Sequence, residues 1–366
     1  MHTCRKRRRI ALASREALRL RLFCTHGTPV QKALHFWPAA LPIVVEYGGL
    51  PTLDPPVPED EDNIIAALKQ ADRVISISLT VTYSLMGKLS GIEKPFSKLQ
   101  DLVLLSRDGF PLILPFTFRW GQCLRRLHST GVEFSAHLQP LYLGSSQGSS
   151  TNIIDLQLHG AFLLLEISPI ILKNVLYEMA QLRSLSLLFR STTNYHFPLL
   201  PYGERAVLPA HTRLNFQGSM AYLEGLITII DAPSLEDIDI TSYNPFLSLP
   251  HFRKFVDQIE MHGSHIGAHI LFSEPTVSIS LTRPGSPVRL KLQVLCKPLY
   301  SEPYFEQTFS KAQICLDFSP FLFNDEGDTR ISMIRLPVQA DSPHDRKWLG
   351  LLNQITGKKR LHRYEL

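Results

Sequence analysis

Apolar residues recur along this chain in one short pattern: apolar, two residues, apolar, one residue, apolar. It occurs as Val74-Ile77-Leu79, Leu99-Leu102-Leu104 and, with a serine in third place, Leu124-Leu127-Ser129. It continues as Ile153-Leu156-Leu158, Leu182-Leu185-Leu187, His211-Leu214-Phe216 and Leu235-Ile238-Ile240. Successive copies begin 25, 25, 29, 29, 29 and 24 residues apart. The last two places of each copy are two residues apart, the spacing of one face of a β-strand. They are therefore expected to point inward, and the residues between them outward.

Helical patterns lie between these strands. Asp60-Glu61-Asp62 precedes Ile64, Ile65 and Leu68, so three carboxylates stand where a helix dipole favours them. Pro169 opens a stripe of Ile170, Ile171, Val175, Leu176 and Met179, a proline suited to a helix start. Tyr222, Leu223, Leu226, Ile227 and Ile230 form another stripe, as do Phe252, Phe255 and Ile259, and Trp348, Leu349, Leu352 and Ile355. Such stripes read as core-facing helix sides.

A strand and a helix or turn repeating every ~20–29 residues, opening on L-x-x-L-x-L, is the pattern of a leucine-rich repeat. The expected fold is α/β: an irregular leucine-rich-repeat solenoid, horseshoe-like, with a parallel concave sheet and convex helices. The place that carries Asn or Cys in the consensus holds Thr82, Arg107, Val132, Ala161, Arg190, Ser219 and Tyr243, so no asparagine ladder forms. Weaker matches extend the array to alternating Leu18, Leu20 and Leu22 and to Ile43-Val44-Val45 upstream. Downstream, Val277, Ile279 and Leu281 and then Leu290, Leu292 and Val294 flank a turn-rich break at Arg283–Pro287, which reads as a hairpin with a five-residue loop. Ile331, Ile334 and Leu336 suggest a last strand. The chain divides into a basic segment, 1–17, and a solenoid, 18–366, with loops at 51–61, 144–151 and 192–209.

Of the 366 residues, 44% are hydrophobic and 19% charged, which excludes a largely disordered or coiled-coil chain. The net charge of +5 is unevenly placed. Residues 1–21 hold eight Arg and Lys against Glu16, a net of +7, and residues 345–366 hold six against Asp345 and Glu365, a net of +4. The body between them carries −6. Basic charge confined to two ends is not the footprint of a nucleic-acid-binding face. Lys6-Arg7-Arg8-Arg9 fits a nuclear-import patch, a transit peptide or a solvated helix end. Five dispersed cysteines without CxxC spacing (Cys4, Cys24, Cys123, Cys296, Cys315) argue against a disulfide scaffold or zinc ribbon. They fit a reducing compartment, so a cytoplasmic or nuclear location is expected. The apolar stretch Gly160 to Tyr177 is broken by Glu166, Pro169 and Lys173, and no membrane span is expected.

Catalytic signals are thin. Gly144-Ser145-Ser146-Gln147-Gly148 satisfies G-x-S-x-G, but a nucleophile elbow needs a strand before and a helix after it, and more Ser and Thr follow here. His262, His265 and His269 have metal-compatible spacing, but Gly263 and Gly267 interrupt them and the segment reads as a solvated loop. No Walker loop, GxGxxG or HExxH occurs. No enzyme activity, cofactor or metal is expected.

The outward positions of the strands are the functional candidates, because solenoids bind partners on that surface. From the register they are Ser76, Ser78 and Thr80; Asp101, Val103 and Leu105; Arg126, His128 and Thr130; and Asp155, Gln157 and His159. They continue with Ser184, Ser186 and Leu188; Arg213, Asn215 and Gln217; and Asp237, Asp239 and Thr241. The face reads as a basic centre at Arg126, His128 and His159, with Arg213 beyond it and an acidic patch at Asp237 and Asp239. A sheet face that is merely solvated is the alternative.

One resemblance adds to this. Leu18-Arg-Leu-Arg-Leu-Phe-Cys-Thr25, Thr28-Pro29, Trp37-Pro38, Leu41-Pro42, Asp62 to Lys69, Asp72 to Leu79, Phe118-Arg-Trp120 and Leu124 to Leu127 resemble fungal F-box proteins with leucine-rich repeats. The resemblance runs from about residue 15 to the end. It implies a substrate-recognition region of a cullin ubiquitin ligase receptor, with an unknown protein target on the concave face. In that family an F-box ahead of the repeats docks a Skp-type adaptor. Only residues 1–17, rich in Arg, precede the first strand, so at most the last F-box helix is expected, and adaptor binding requires a degenerate F-box in residues 1–30. The readings set beside this are a truncated, non-functional paralogue, a hydrolase built on Ser146, and nucleic-acid binding through the basic ends.

Overall fold

The computed structural model describes residues 18–48, 57–107, 112–114, 120–134, 152–160, 168–189, 205–242, 251–252, 254–255, 267–273, 276–282, 289–295 and 331–335. They fall into two compact units. The first lies within Met1–Leu164 and Glu178–Leu182, and the second within Leu165–Tyr177 and Arg183–Leu366.

The first unit runs β1 (Leu20–Phe23), α1 (Val30–Phe36), β2 (Ile43–Tyr47), α2 (Pro58–Leu68), β3 (Val74–Val81), α3 (Tyr83–Leu89), β4 (Asp101–Ser106), β5 (Leu112–Leu114), β6 (Arg126–Thr130), β7 (Val132–Phe134) and β8 (Asp155–His159). Strands β1, β2, β3, β4, β6 and β8 lie side by side in chain order, every pair parallel. The inward places of the sequence pattern form the core. Ile77, Leu102, Leu104 and Leu156 are fully buried, and Leu79 and Leu127 nearly so. The pattern's first residues, Val74, Leu99, Leu124 and Ile153, are buried beneath them. A buried leucine of this kind contributes ~2–5 kcal/mol relative to alanine. Ser129 stands in a leucine's place. It is buried and satisfies its hydroxyl by donating to the Val132 carbonyl at 2.7 Å.

Local chemistry sets the helix starts. Pro58 opens α2, and the Asp60 Oδ2 accepts from the Val57 N–H at 3.3 Å. The expected loop 51–61 is therefore corrected at its end, because residues 58–61 are the first turn of α2. Thr82 caps α3, its Oγ1 accepting from the Leu85 N–H at 3.2 Å. Thr82 occupies the consensus asparagine place. The next two such places hold Arg107 and Val132, which cannot cap a helix in this way. There, among the described residues, the chain forms β5 and β7 instead, which pair in parallel from Leu112–Val132 to Leu114–Phe134. Gly131, at φ 65°, makes the corner between β6 and β7.

The second unit runs α4 (Pro169–Tyr177), β9 (Ser184–Leu188), β10 (Ala206–Val207), β11 (Arg213–Gly218), α5 (Met220–Ile229), β12 (Ile230–Asp231), β13 (Asp237–Ser242), β14 (Gly267–Ser273), β15 (Thr276–Thr282), β16 (Arg289–Leu295) and β17 (Ile331–Arg335). Strands β9, β11, β13 and β16 are parallel neighbours. Leu185, Leu187, Leu214, Phe216, Ile238 and Ile240 are fully buried on one face. Ser219 caps α5 by accepting from the Tyr222 N–H at 3.4 Å. Tyr222, fully buried, packs its ring against Phe189 and Phe216, with centroids 4.7 and 6.1 Å away.

Strand order departs from chain order after β13. β16 and β15 form the expected hairpin, antiparallel from Thr282–Arg289 to Thr276–Leu295, with six residues between the strands rather than five. β14 pairs antiparallel with β15, and β17 parallel with β14. Within the expected span 18–366, the parallel strands of this unit follow chain order only as far as β13. His269, read as part of a solvated loop, lies in β14, and the expected loop 192–209 contains β10. The basic segment 1–17, the Ser146 motif, His262, His265 and the Trp348 stripe lie outside the described residues.

Candidate functional site

Parallel in-register pairing converts the repeat into rows of side chains across the outward face. In the first unit one row reads Arg21, Val44, Ser76, Asp101, Arg126, Asp155. A second reads Phe23, Glu46, Ser78, Val103, His128, Gln157. A third carries Thr80, Leu105, Thr130 and His159. All four outward triplets expected in this unit are therefore brought onto one face. Small hydroxyl side chains occupy β3, apolar ones two of the places on β4, and hydrogen-bonding ones β6 and β8.

The charges are largely matched. Arg126 Nε donates to Asp101 Oδ1 at 2.5 Å, and Arg21 Nε lies 3.3 Å from Glu46 Oε1. Hydrogen bonding to Asp101 holds the Arg126 guanidinium above its usual range. Asp155 lies on the other side of Arg126 and acts on it only through space. Its carboxylate accepts from Gln157 Nε2 at 3.3 and 3.4 Å and forms no salt bridge among the described residues.

His128 and His159 are diagonal neighbours on β6 and β8, a spacing that long side chains bridge. Their rings meet edge to face with centroids 4.9 Å apart. Thr130 lies between them, its Oγ1 3.2 Å from His128 Nε2 and 3.5 Å from His159 Nδ1. Burial lowers the pKa of His128, partly offset by Asp155. Burial and the neighbouring His128 push His159 down to about 4. The expected basic centre is therefore corrected. At neutral pH both imidazoles are uncharged and Arg126 is matched by Asp101.

In the second unit the rows read Ser184, Arg213, Asp237, Arg289; Ser186, Asn215, Asp239, Lys291; and Leu188, Gln217, Thr241, Gln293. Asn215 Nδ2 donates to the Ser186 hydroxyl and Thr241 Oγ1 to Gln293 Oε1, each at 3.3 Å, and Ser186 itself is buried. Lys291 Nζ lies 3.3 Å from Asp239, and Asp237 registers between Arg213 and Arg289. Of the expected acidic patch, Asp239 is paired with Lys291, and Asp237 shares its row with Arg213.

Two features lay outside the sequence reading. His211, in a leucine's place ahead of β11, is fully buried, and neither ring nitrogen has a hydrogen-bond partner. Burial pushes its pKa down to about 4. Cys24, Tyr47 and His26 gather around the buried Asp60. The Asp60 carboxylate accepts from the His26 N–H and from the Tyr47 hydroxyl. Burial and then Asp60 push the Cys24 thiol up to about 12, so it is not a thiolate nucleophile at neutral pH.

Among the described residues no three His, Cys, Asp or Glu side chains are placed to hold a metal ion, and no helix is long and apolar enough to cross a membrane. Comparison with protein-family models, with curated proteins and with solved structures finds no match.

Proposed function

We propose that this chain is a leucine-rich-repeat protein-interaction scaffold. The reading extends to a substrate-recognition region like those of F-box receptors of cullin ubiquitin ligases, by the resemblance of its sequence. The observation that carries the docking surface is the outward face of β3, β4, β6 and β8. There the inward residues are closed into a core, while Val103, Leu105, Ser78, His128, Gln157 and Asp155 stand together on the other side. A row of small residues beside apolar and hydrogen-bonding ones gives a docked polypeptide both contact area and polar specificity. The partner is a protein, and Ser76, Ser78, Asp101, Arg126, His128, Asp155, Gln157 and His159 are the contact residues of this unit. Arg213, Asn215, Gln217, Asp237 and Asp239 play that part in the other.

Leu20–Phe23 form β1 and Val30–Phe36 form α1. That placement favours target binding over adaptor binding for this segment. A photo-crosslinking residue placed at Ser78 in the full chain tests the proposal. The expected result is a crosslinked protein partner that is lost when Val103 and Leu105 are both changed to Glu, with no requirement for a Skp-type adaptor. Undiminished crosslinking in the double variant refutes docking on this face.

A further inference from the structure

Across the first-unit face the charges alternate from strand to strand, and the alternation stops short. Asp101 on β4 takes the Nε of Arg126 on β6. Asp155 on β8 is next in the row and has no salt bridge among the described residues. Around it stand acceptors. Gln157 uses its Nε2 on the Asp155 carboxylate, which leaves the Gln157 carbonyl oxygen as an acceptor. His128, diagonal to Asp155, carries an uncharged ring at neutral pH and feels that carboxylate. In the second unit the comparable acid, Asp239, is matched by Lys291 on the adjacent strand.

We propose that Asp155, Gln157 and His128 form a cation-accepting site on the docking face, filled by an arginine side chain of the protein partner. This rests on the docking reading above and adds the chemistry of what docks. A guanidinium offers two parallel N–H groups to a carboxylate and further donors to flanking acceptors, with no acceptor of its own to clash with them. A lysine ammonium meets the carboxylate only as a point charge, and an acidic side chain is repelled by it. Protonation of His128 or His159 places positive charge beside the guanidinium, so acid weakens the site. The charged and titratable groups in the rows around the two imidazoles are Asp101 on β4, Arg126 on β6 and Asp155 on β8. Of these, Asp101 and Arg126 are already joined.

The test uses the full chain labelled at histidine. The ring signals of His128 and His159 are assigned with the His128→Asn and His159→Asn variants. The probe is the tripeptide acetyl-Gly-Arg-Gly-amide, with its Glu and Gln counterparts as controls. The arginine peptide is expected to bind saturably and to lower the titration midpoint of His128 by ~0.5 pH unit, as a cation some 6 Å away would. Asp155→Asn is expected to weaken binding roughly tenfold, the loss of one charge-assisted hydrogen-bonded pair. Gln157→Ala, which keeps the carboxylate, is expected to weaken it less. An equal response to the Glu or Gln peptide, no saturable response, or full binding by Asp155→Asn overturns the proposal. Should the partner be lost in the Val103 and Leu105 double variant yet kept in Asp155→Asn, the cation site fails while docking stands. Should it be kept in both, docking itself fails.

Discussion

His211 to leucine is the substitution with the clearest consequence. The imidazole occupies the first apolar place of its repeat, fully buried, with both ring nitrogens unpartnered. Its own N–H donates to the Leu208 carbonyl at 3.1 Å, so the backbone is satisfied and the side chain alone is frustrated. An unsatisfied buried polar group costs about 1–3 kcal/mol. Leucine is close in volume and leaves nothing unsatisfied, so His211→Leu is expected to stabilise the protein by about 1–3 kcal/mol at neutral pH. Acid widens the difference. Burial alone lowers the folded-state pKa from 6.5 to about 4, with no charged neighbour contributing. The unfolded chain takes up the proton below 6.5 and the folded one only near 4, so wild-type stability is intact above 6.5 and falls as pH drops through that window. The full loss from this residue is about 3 kcal/mol, of which about 2 kcal/mol is gone by pH 5. His159, also pushed to about 4, titrates in the same range but is present in both proteins and cancels in the comparison. Urea unfolding of wild type and variant, at pH 7.5 and pH 5, measures the gap directly. A gap that does not grow on acidification, or a variant less stable than wild type at pH 7.5, refutes the reasoning.

Three further outcomes follow from the packing. Gly48, at φ 82°, faces Thr80, and an added Cβ would run into that side chain's Oγ1 and Cβ. Gly48→Ala should therefore lower stability by about 1–3 kcal/mol in thermal melts, and an unchanged melt would contradict the left-handed assignment. Leu102→Ala empties a fully buried place in β4 and should cost about 2–5 kcal/mol by urea titration, with a value under 1 arguing against a closed core. Glu224 accepts the N–H groups of His251 and Phe252 at 3.0 and 2.9 Å, while burial raises its pKa. Glu224→Ala should expose those two amides to faster hydrogen exchange and cost about 1–3 kcal/mol, and unaltered exchange would show that Glu224 does not hold them.

The strand faces were legible from the sequence because period-two alternation inside a repeat leaves little freedom. Once Leu102 and Leu104 face inward, Asp101, Val103 and Leu105 face outward, and the structure keeps that register along β3, β4, β6 and β8 and along β9, β11 and β13. The site's composition followed from the same logic, but its charge did not. That Arg126 is matched by Asp101 depends on side-chain geometry between strands, and that His128 and His159 are neutral depends on burial. The connections were partly legible. Thr82 and Ser219 are residue types suited to caps, and both open helices, whereas the described residues after Arg107 and at Val132 include the short strands β5 and β7. Strand β14 was missed because His269-Ile270-Leu271-Phe272 breaks alternation, a pattern that short strands share with buried helix segments. His211 raised no signal, since a histidine amid leucines reads as a tolerated mismatch until its surroundings are known.

Asp60 and Glu61 reach to opposite sides of α2. Asp60 holds the segment behind α2, through the His26 N–H and the Tyr47 hydroxyl. Its neighbour Glu61 holds the segment ahead, through the hydroxyls of Thr82 and Ser84 at 3.1 and 2.8 Å and the Lys88 ammonium at 3.2 Å. Where strands stack in chain order, each strand–helix segment chiefly touches its neighbours, and an unfolding front can halt at a weak boundary. Two adjacent buried carboxylates remove that choice around α2. If the helix frays, donors on both sides lose their acceptors together, so the stretch from β1 to α3 is expected to melt as one cooperative block. Exchanging the two residues would conserve charge and composition. It would still break the block, because the shorter side chain would reach for the longer one's partners.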